Sequence, residues 1–403
     1  MGTIKKHLDK IVHSSDRSGF ATVLPGIIVC FLVMLAGIYG ADLIGVLLIQ
    51  FNFLPEGSAS PISGIFVAII LGIFIRNTIG LHVIFKEGNT FSVKYALKLG
   101  IILLGLRLSL VEALKLGAWG VPLIVICISC GLAVTLYFTK KLQQSERLGT
   151  LIACGTGICG VTAIMATSPV IEAKENEISY AVANITVFGL VGMLFYPYLT
   201  HLFFADDSIK AGLFLGTAIH DTAQVTGSAL IYDQMFHMEK AVDVAMVTKL
   251  TRNLFIIAVI PLVSLLFFRS SERATSVGSH TESTDGTNNT SRLPKWYKLI
   301  PLFVIGFLAL ALVRTLGDMT LANSGVAFGF LSADTWQSFY ESSSSFGTTY
   351  MLGIAMAGVG LSTDLSQFKG LGMKPFYIGL IAALSVGLVS VTLVSLFGHL
   401  VVV

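Results

Sequence analysis

Apolar runs of about twenty residues recur along this chain and decide what it can fold into. They fall at residues 22–44, 61–80, 95–112, 118–139, 148–171, 178–204, 211–231, 241–268, 296–315, 345–363 and 376–400. A run of that length crosses the hydrocarbon core as a helix, because lipid offers no partner for an unsatisfied backbone group. The expected fold class is an all-α polytopic membrane protein with about 11 transmembrane helices. Of 403 residues only 12% are charged, half the share usual in soluble domains. A net charge of +3 is too small to point to nucleic acid. Met1–Phe20 is polar and basic, unlike a signal peptide.

Lys and Arg concentrate on the cytoplasmic side of membrane proteins. Lys5, Lys6, Lys10 and Arg17, then Arg76, Lys86 and Lys94, then Lys140, Lys141 and Arg147 all fall on one side. Arg269, Arg273, Arg292 and Lys295, and then Lys369 and Lys374, share that side. The expected topology is a bacterial plasma-membrane protein, N-terminus cytoplasmic and C-terminus outside. The expected divisions are a cytoplasmic segment 1–20, a first membrane region 21–269 of about eight helices, a linker 270–294, and a second region 295–403 of about three. Ser270–Arg292 is Ser/Thr-rich and lacks apolar periodicity, so it reads as disordered.

Leu99–Pro122 and Leu352–Pro375 align without gaps at Gly100/Gly353, Gly105/Gly358, Leu108/Leu361, Ser109/Ser362, Gly117/Gly370 and Pro122/Pro375. In the topology above the two copies run in opposite directions. That is an inverted repeat, as in secondary transporters. The order of the other spans does not give a clean five-plus-five division.

Two constellations break the apolar pattern. The run 148–171 holds Gly155-Thr156-Gly157-Ile158-Cys159-Gly160, and each Gly costs a helix about 1 kcal/mol relative to Ala. A helix broken near the midplane is the expectation, with freed N–H groups available to an anion. The run 211–231 holds His220, Asp221 and Gln224, and the next holds Lys249 and Arg252. A charge at the bilayer centre costs about 2.5–3.5 kcal/mol on insertion scales. Counted from the short loop 232–240, His220 and Arg252 both lie about 18 Å deep and Lys249 about 13 Å. Asp221 can pair with either cation, and two cations against one carboxylate leave a positive excess. Arg107 is expected to snorkel or to pair with Glu112. Glu172 and Glu175 are expected in a solvated outer turn. Asn184 and Thr186 can add hydrogen bonds, and Arg76 and Asn77 are expected to anchor at the interface. Cys127 and Cys130 form a CxxC without a second pair or a nearby His, so packing is the expected role of the five cysteines. No metal and no cofactor is expected.

The segments GTGICGVTAI, GTAIHDTAQV and VTKLTR, in that order, resemble the sulfate exporter family of bacterial inner-membrane proteins. The resemblance covers the chain apart from the N-terminal tail and 270–294. It implies a distant relation to transporters of the bile acid/arsenite/riboflavin superfamily, with a core domain moving against a panel. It also implies roles for His220, Gln224, Lys249, Arg252 and the glycines of GTGICG. Where the family more often carries Glu after the His, this chain has Asp221.

The expected function is secondary active transport, as an exporter, of a small anion such as sulfate or another sulfur-containing or carboxylate anion. Lys249, Arg252, His220, Gln224, Gly155, Thr156, Gly157 and Gly160 are the expected binding residues, and His220 and Asp221 the coupling pair. A proton or sodium ion is the coupling partner, and a homodimer is an allowed assembly. The alternatives are a sodium-coupled organic-anion symporter using Thr156, Thr162 and Thr217, an intramembrane enzyme built on His220 and Asp221, and a receptor. No GxxxxGK[ST] loop and no HExxH motif is present, so neither a pump nor a zinc enzyme is expected.

Overall fold

Every extended element in the computed structural model is helical, as satisfaction of the backbone inside lipid requires. It describes residues 18–51, 55, 60, 62–276, 301–368 and 373–401. The elements run α1 (Ser18–Gln50), α2 (Gly64–Thr78), α3 (Val83–Phe91), a π turn (Ser92–Ala96), α4 (Leu97–Leu104), a 3-10 turn (Gly105–Arg107) and α5 (Leu110–Lys141). Next come α6 (Glu146–Gly157), α7 (Val161–Thr167), α8 (Glu175–Phe204), α9 (Ser208–Ala218), α10 (Thr222–Phe236), α11 (Glu239–Leu254) and α12 (Ile256–Ser276). The last group is α13 (Leu302–Ser324), α14 (Ala333–Phe346), a π turn (Gly347–Leu352), α15 (Gly353–Ser362), a 3-10 turn (Leu365–Phe368) and α16 (Met373–Phe397). Helix α12 runs on to Ser276, past the start of the expected linker, whose remainder lies outside the described residues. So does most of the segment 1–20.

Among the described residues six helical stretches are long and apolar enough to cross a membrane, and a seventh arises if α11 and α12, bent by 43°, count as one. The expected count of eleven is therefore not reached on this measure. Part of the difference has a structural cause: two of the apolar runs fold back on themselves. Helix α6 packs antiparallel on α5, with Gly149 against Thr139 and Gly157 against Gly131. Helix α7 then returns along α6, placing the side chain of Ile164 against Gly155. Ile171 shares a core cluster with Leu148 and Ile152. The Ser145 hydroxyl bonds to the Glu177 carboxylate, so α6 and α8 start at the same end of the molecule. Glu172 and Glu175 thus lie at the Lys141 end of the molecule, not at the opposite end as expected. The sequence cannot distinguish a hairpin from a span here, because both are apolar and interrupted at the same glycines.

Helices α9 and α11 are parallel neighbours: a Cβ on Gly212 would meet the Ala241 carbonyl at 2.6 Å, and one on Gly216 the Ala245 carbonyl at 2.8 Å. Helix α10 runs antiparallel to α11, since Asn253 donates to Thr222. The α9–α10 pair is therefore a second hairpin, entering from the His237 end, whereas α6–α7 enters from the Lys141 end. Each first arm is about 16 Å long, so the tips meet near the middle of a 30 Å core.

The aligned copies occupy matching places. A helix, a π turn, a helix, a 3-10 turn and a long helix follow one another from Val83 to Lys141 and again from Ala333 to Phe397. Gly72 and Gly360 let α2 and α15 cross at backbone distance, as Gly105 does for the 3-10 turn after α4 and Phe307 of α13. Helix α5 packs on the first hairpin, and α16 packs on the second, where Ser390 bonds to Thr217. The first hairpin follows its long helix in the chain, whereas the second precedes α16. The two units thus differ by a circular permutation, which explains why no five-plus-five order could be read.

Candidate functional site

The break in the first hairpin is built at Gly160, with φ +66° and ψ −128°, a conformation that a side chain would strain. The break in the second is built at Asp221, the N-cap of α10, whose Oδ1 accepts from Ala223 N–H at 2.9 Å. These breaks leave the carbonyls ending α6 and α9 unsatisfied, the negative ends of two helices. Arg252 and Lys249 on α11 reach them.

Arg252 donates from Nε to Gly157 O (3.0 Å), from Nη2 to Thr156 O (2.6 Å), and from Nη1 to Thr217 O (2.6 Å) and Ile219 O (3.3 Å). Lys249 Nζ donates to Ile158 O and Ile219 O, both at 3.1 Å, and to His220 O. All three ammonium protons are used. Each cation binds both hairpins, and each is completely buried. The expectation that N–H groups of Gly155–Gly160 face an anion is corrected here: residues 156–158 present carbonyls to cations. Gly160 N–H is turned to the Gly155 carbonyl. Gly155 and Gly157 admit Ile164 and Leu132 to close packing.

Asp221 occupies the opposite electrostatic position. Its carboxylate caps α10, also accepts from Val161 N–H at the start of α7, and lies against Gly160. One fixed carboxylate thus joins the two second arms, as the cations join the two first arms. With about half a charge on each helix C-terminus, the two cations are half offset before any carboxylate is counted. The N-termini of α7 and α10 meet at the same crossing and bring partial charges of the opposite sign, so the four helix ends cancel. Ionised Asp221 then leaves about one unit of positive charge, and its protonation raises that to about two.

His220, Gln224 and Thr156 surround this crossing and are buried. His220 Nδ1, Gln224 Oε1 and Thr156 Oγ1 have no hydrogen-bond partner, whereas Gln224 Nε2 donates to Thr186 O at 3.3 Å. Gln224 fits only because residue 189 is Gly. In contrast to the buried cations, Val161, Asp221 and Thr222 are partly exposed and Thr162 is exposed, so the second arms are less enclosed than the first. Among the described residues no three His, Cys, Asp or Glu side chains form a group suited to a metal.

Other contacts were not legible in the sequence. Asn253, one residue beyond Arg252, links α11 to the tip through Thr222. Arg107 forms ion pairs with Glu239 Oε1 (2.8 Å) and Asp243 Oδ1 (3.1 Å), not with Glu112, which closes a capping box with Ser109. Arg76 pairs with Asp364 at 2.9 Å, and Asn77 bonds the Thr363 carbonyl, tying α2 to the end of α15. Asn184 donates to Pro375 O, a helix–helix tie.

Relatives carry the same length of chain. A UPF0324 membrane protein of Bacillus cereus is 32% identical over 83% of this chain and 87% of its own. One from Streptococcus agalactiae is 28% identical over 94% and 99%. One from Fusobacterium nucleatum is 29% identical over 93% and 98%. These matches accord with the resemblance to the sulfate exporter family carried by the motifs at the two tips. The family model described as Conserved hypothetical protein 698 matches residues 25–379, and the chain belongs to that family.

Proposed function

We propose that this protein is a secondary transporter that carries a small anion together with a proton. The observation that carries the reading is the meeting of two opposed hairpin tips around Lys249, Arg252 and Asp221. Discontinuous helices ending at mid-membrane depth are how secondary transporters build substrate sites, and paired inverted units let them rock around such a site. The hairpins and crossing helices serve as the eleven apolar segments of that design, with the Lys141 end cytoplasmic.

The chemistry follows from competition. The N–H groups of Ala223 and Val161 bind the Asp221 carboxylate, and an incoming anion needs the same donors. Protonation of Asp221 weakens its hold on them and unmasks about one unit of positive charge. The anion then enters beside Thr162 and Thr222, where the buried cations attract it without touching it. Lys249 and Arg252 therefore act as fixed electrostatic scaffold, and His220 and Gln224 complete the polar wall. Anion and proton bind together, so they move together. An inward proton gradient then drives the anion inward, and export needs an outward gradient of the anion itself.

Sodium coupling fits less well. The carbonyls of Ile158, Ile219 and His220 converge as they would on a sodium ion, but Lys249 Nζ already fills that seat. The test is a thermal-shift panel of sulfate, thiosulfate, sulfite, acetate and chloride on purified protein at two pH values, followed by uptake in proteoliposomes with proton or sodium gradients imposed separately. Stabilisation by one anion that grows at lower pH, and uptake driven by the proton gradient alone, is the expected result. Uptake driven only by sodium overturns the coupling, and no response to any anion at either pH overturns the assignment.

A further inference from the structure

A stripe of buried polar groups leads away from the hairpin crossing, and beyond His220 and Gln224 it is not used by the site described above. On α10, Gln224, Ser228 and Tyr232 recur every fourth residue and so share one helix face. His220 stands one further step towards the tip. All four are buried. His220 Nδ1, Gln224 Oε1, Ser228 Oγ and Tyr232 Oη each lack a hydrogen-bond partner, as does Nδ1 of His201, on α8. The stripe points to the His237 end of the molecule. There the His201 ring stacks on Phe236 at 3.8 Å between centroids and lies 6.5 Å from the Tyr232 ring. Asp206 and Asp207, in the turn between α8 and α9, lie close enough to act on Tyr232 electrostatically, and Asp206 is exposed.

Unpaired polar atoms in a packed interior are costly, and a row of them calls for a common reason. Successive side chains on one face stand about 5–6 Å apart. That gap suits one bridging water, with a hydrogen bond of about 2.8 Å on either side. Every side chain in the row can accept and donate, or can do both through a bound water. A row of this kind transfers protons by exchange along hydrogen bonds without carrying an ion through lipid. The groups facing its inner end are Lys249 and Arg252 from α11 and Cys159 from the first hairpin. Those facing its outer end are His201 from α8 and Asp206 and Asp207 from the α8–α9 turn.

We propose that His220, Gln224, Ser228, Tyr232 and His201 form the route by which protons reach Asp221 from the His237 side. The step is a relay: a proton enters at His201, the Tyr232 and Ser228 hydroxyls and the His220 ring each accept one proton and release another, the Gln224 carbonyl oxygen orients a bridging water that carries the proton across its step, and Asp221 gains one as the surface loses one. The inference rests on the coupled-carrier reading and adds the direction from which its proton comes.

Infrared difference spectroscopy after a rapid drop in pH tests the route on the purified full-length protein without any anion. The protonated carboxyl band of Asp221 is identified by its loss in Asp221→Asn. Ser228→Ala, Tyr232→Phe and His201→Gln are expected to slow its appearance at least tenfold while leaving its final amplitude unchanged. Unchanged amplitude shows that the variants are folded. A band that rises as fast in all three variants as in the native protein overturns the route alone. A native protein in which no band depends on Asp221 overturns the coupled reading beneath it, and the route with it.

Discussion

Nε of Arg107 lies 3.1 Å from Oδ1 of Asp243, across the junction between the turn that ends α4 and the first half of α11. The α4 turn packs on α13, whereas α11 packs on the second hairpin and on α5, so this pair pins the start of α11 to the turn that leads into α5. Gln234 on α10 forms a second tie at the same end, accepting from Ser63 Oγ at 2.8 Å and Ile65 N–H at 3.2 Å on α2. Both ties close the His237 end. A double-mutant cycle on Arg107→Ala and Asp243→Ala, read by thermal unfolding, is expected to give a coupling energy of about 1–3 kcal/mol. Additive single effects would show that the clasp carries no energy.

Replacement of Lys249 by Met leaves the carbonyls of Ile158, Ile219 and His220 facing each other around an apolar side chain. Each unpaired carbonyl costs about 1–3 kcal/mol, so the variant is expected to lose several degrees or more in unfolding temperature. Lys249→Ala, which empties the seat, is expected to recover part of that loss in millimolar methylammonium or sodium. A Lys249→Ala protein indifferent to every cation would refute the carbonyl cage.

Asp221→Asn keeps an oxygen to cap α10 and removes the titrating group. The sign follows from competition for the N–H donors: in the native protein anion affinity falls as pH rises and Asp221 loses its proton. In the Asn variant it is expected to be flat with pH. Anion-induced thermal shifts measured across the pH range decide the matter, and an unchanged slope in the variant would assign the proton elsewhere.

Gly160→Ala tests the other side of the crossing. A Cβ there would sit 2.9 Å from Asp221 Oδ2 on a backbone with φ +66°, so both strain and contact oppose it. The expected cost is about 1–3 kcal/mol of stability together with loss of anion binding. Gly157→Ala, whose Cβ would meet Leu132 at 3.4 Å, is expected to be tolerated. Circular dichroism melts of the pair provide the comparison.

The helices, the weak point in the GTGICG run and the common depth of His220, Lys249 and Arg252 were legible in the sequence; the second break, at Asp221, was not, because the run 211–231 read as one span. Hydrophobic length and residue spacing alone determine the legible features. The direction of each broken helix was not legible. An interrupted apolar run folds back or continues according to what its ends meet, here the Ser145–Glu177 bond and the parallel seating of Gly212 and Gly216 on α11. The partners of the cations were hidden for a related reason: backbone carbonyls carry no letter in the sequence. Charge counting by side chain therefore matched Asp221 to one of the cations, whereas backbone carbonyls at two helix termini accept from both.

The permuted order of the two units bears on how the molecule is made. Thr217, in the first arm of the second hairpin, finds its partner Ser390 in α16, the final long helix. A ribosome delivers that arm long before it delivers the helix that seats it. The hairpin must wait, seated on α8 and α11 but open on the side that α16 covers, until synthesis is nearly over. Chains cut short ahead of Met373 are thus expected to hold a loose second hairpin, and quality-control proteases that patrol the membrane would find it there.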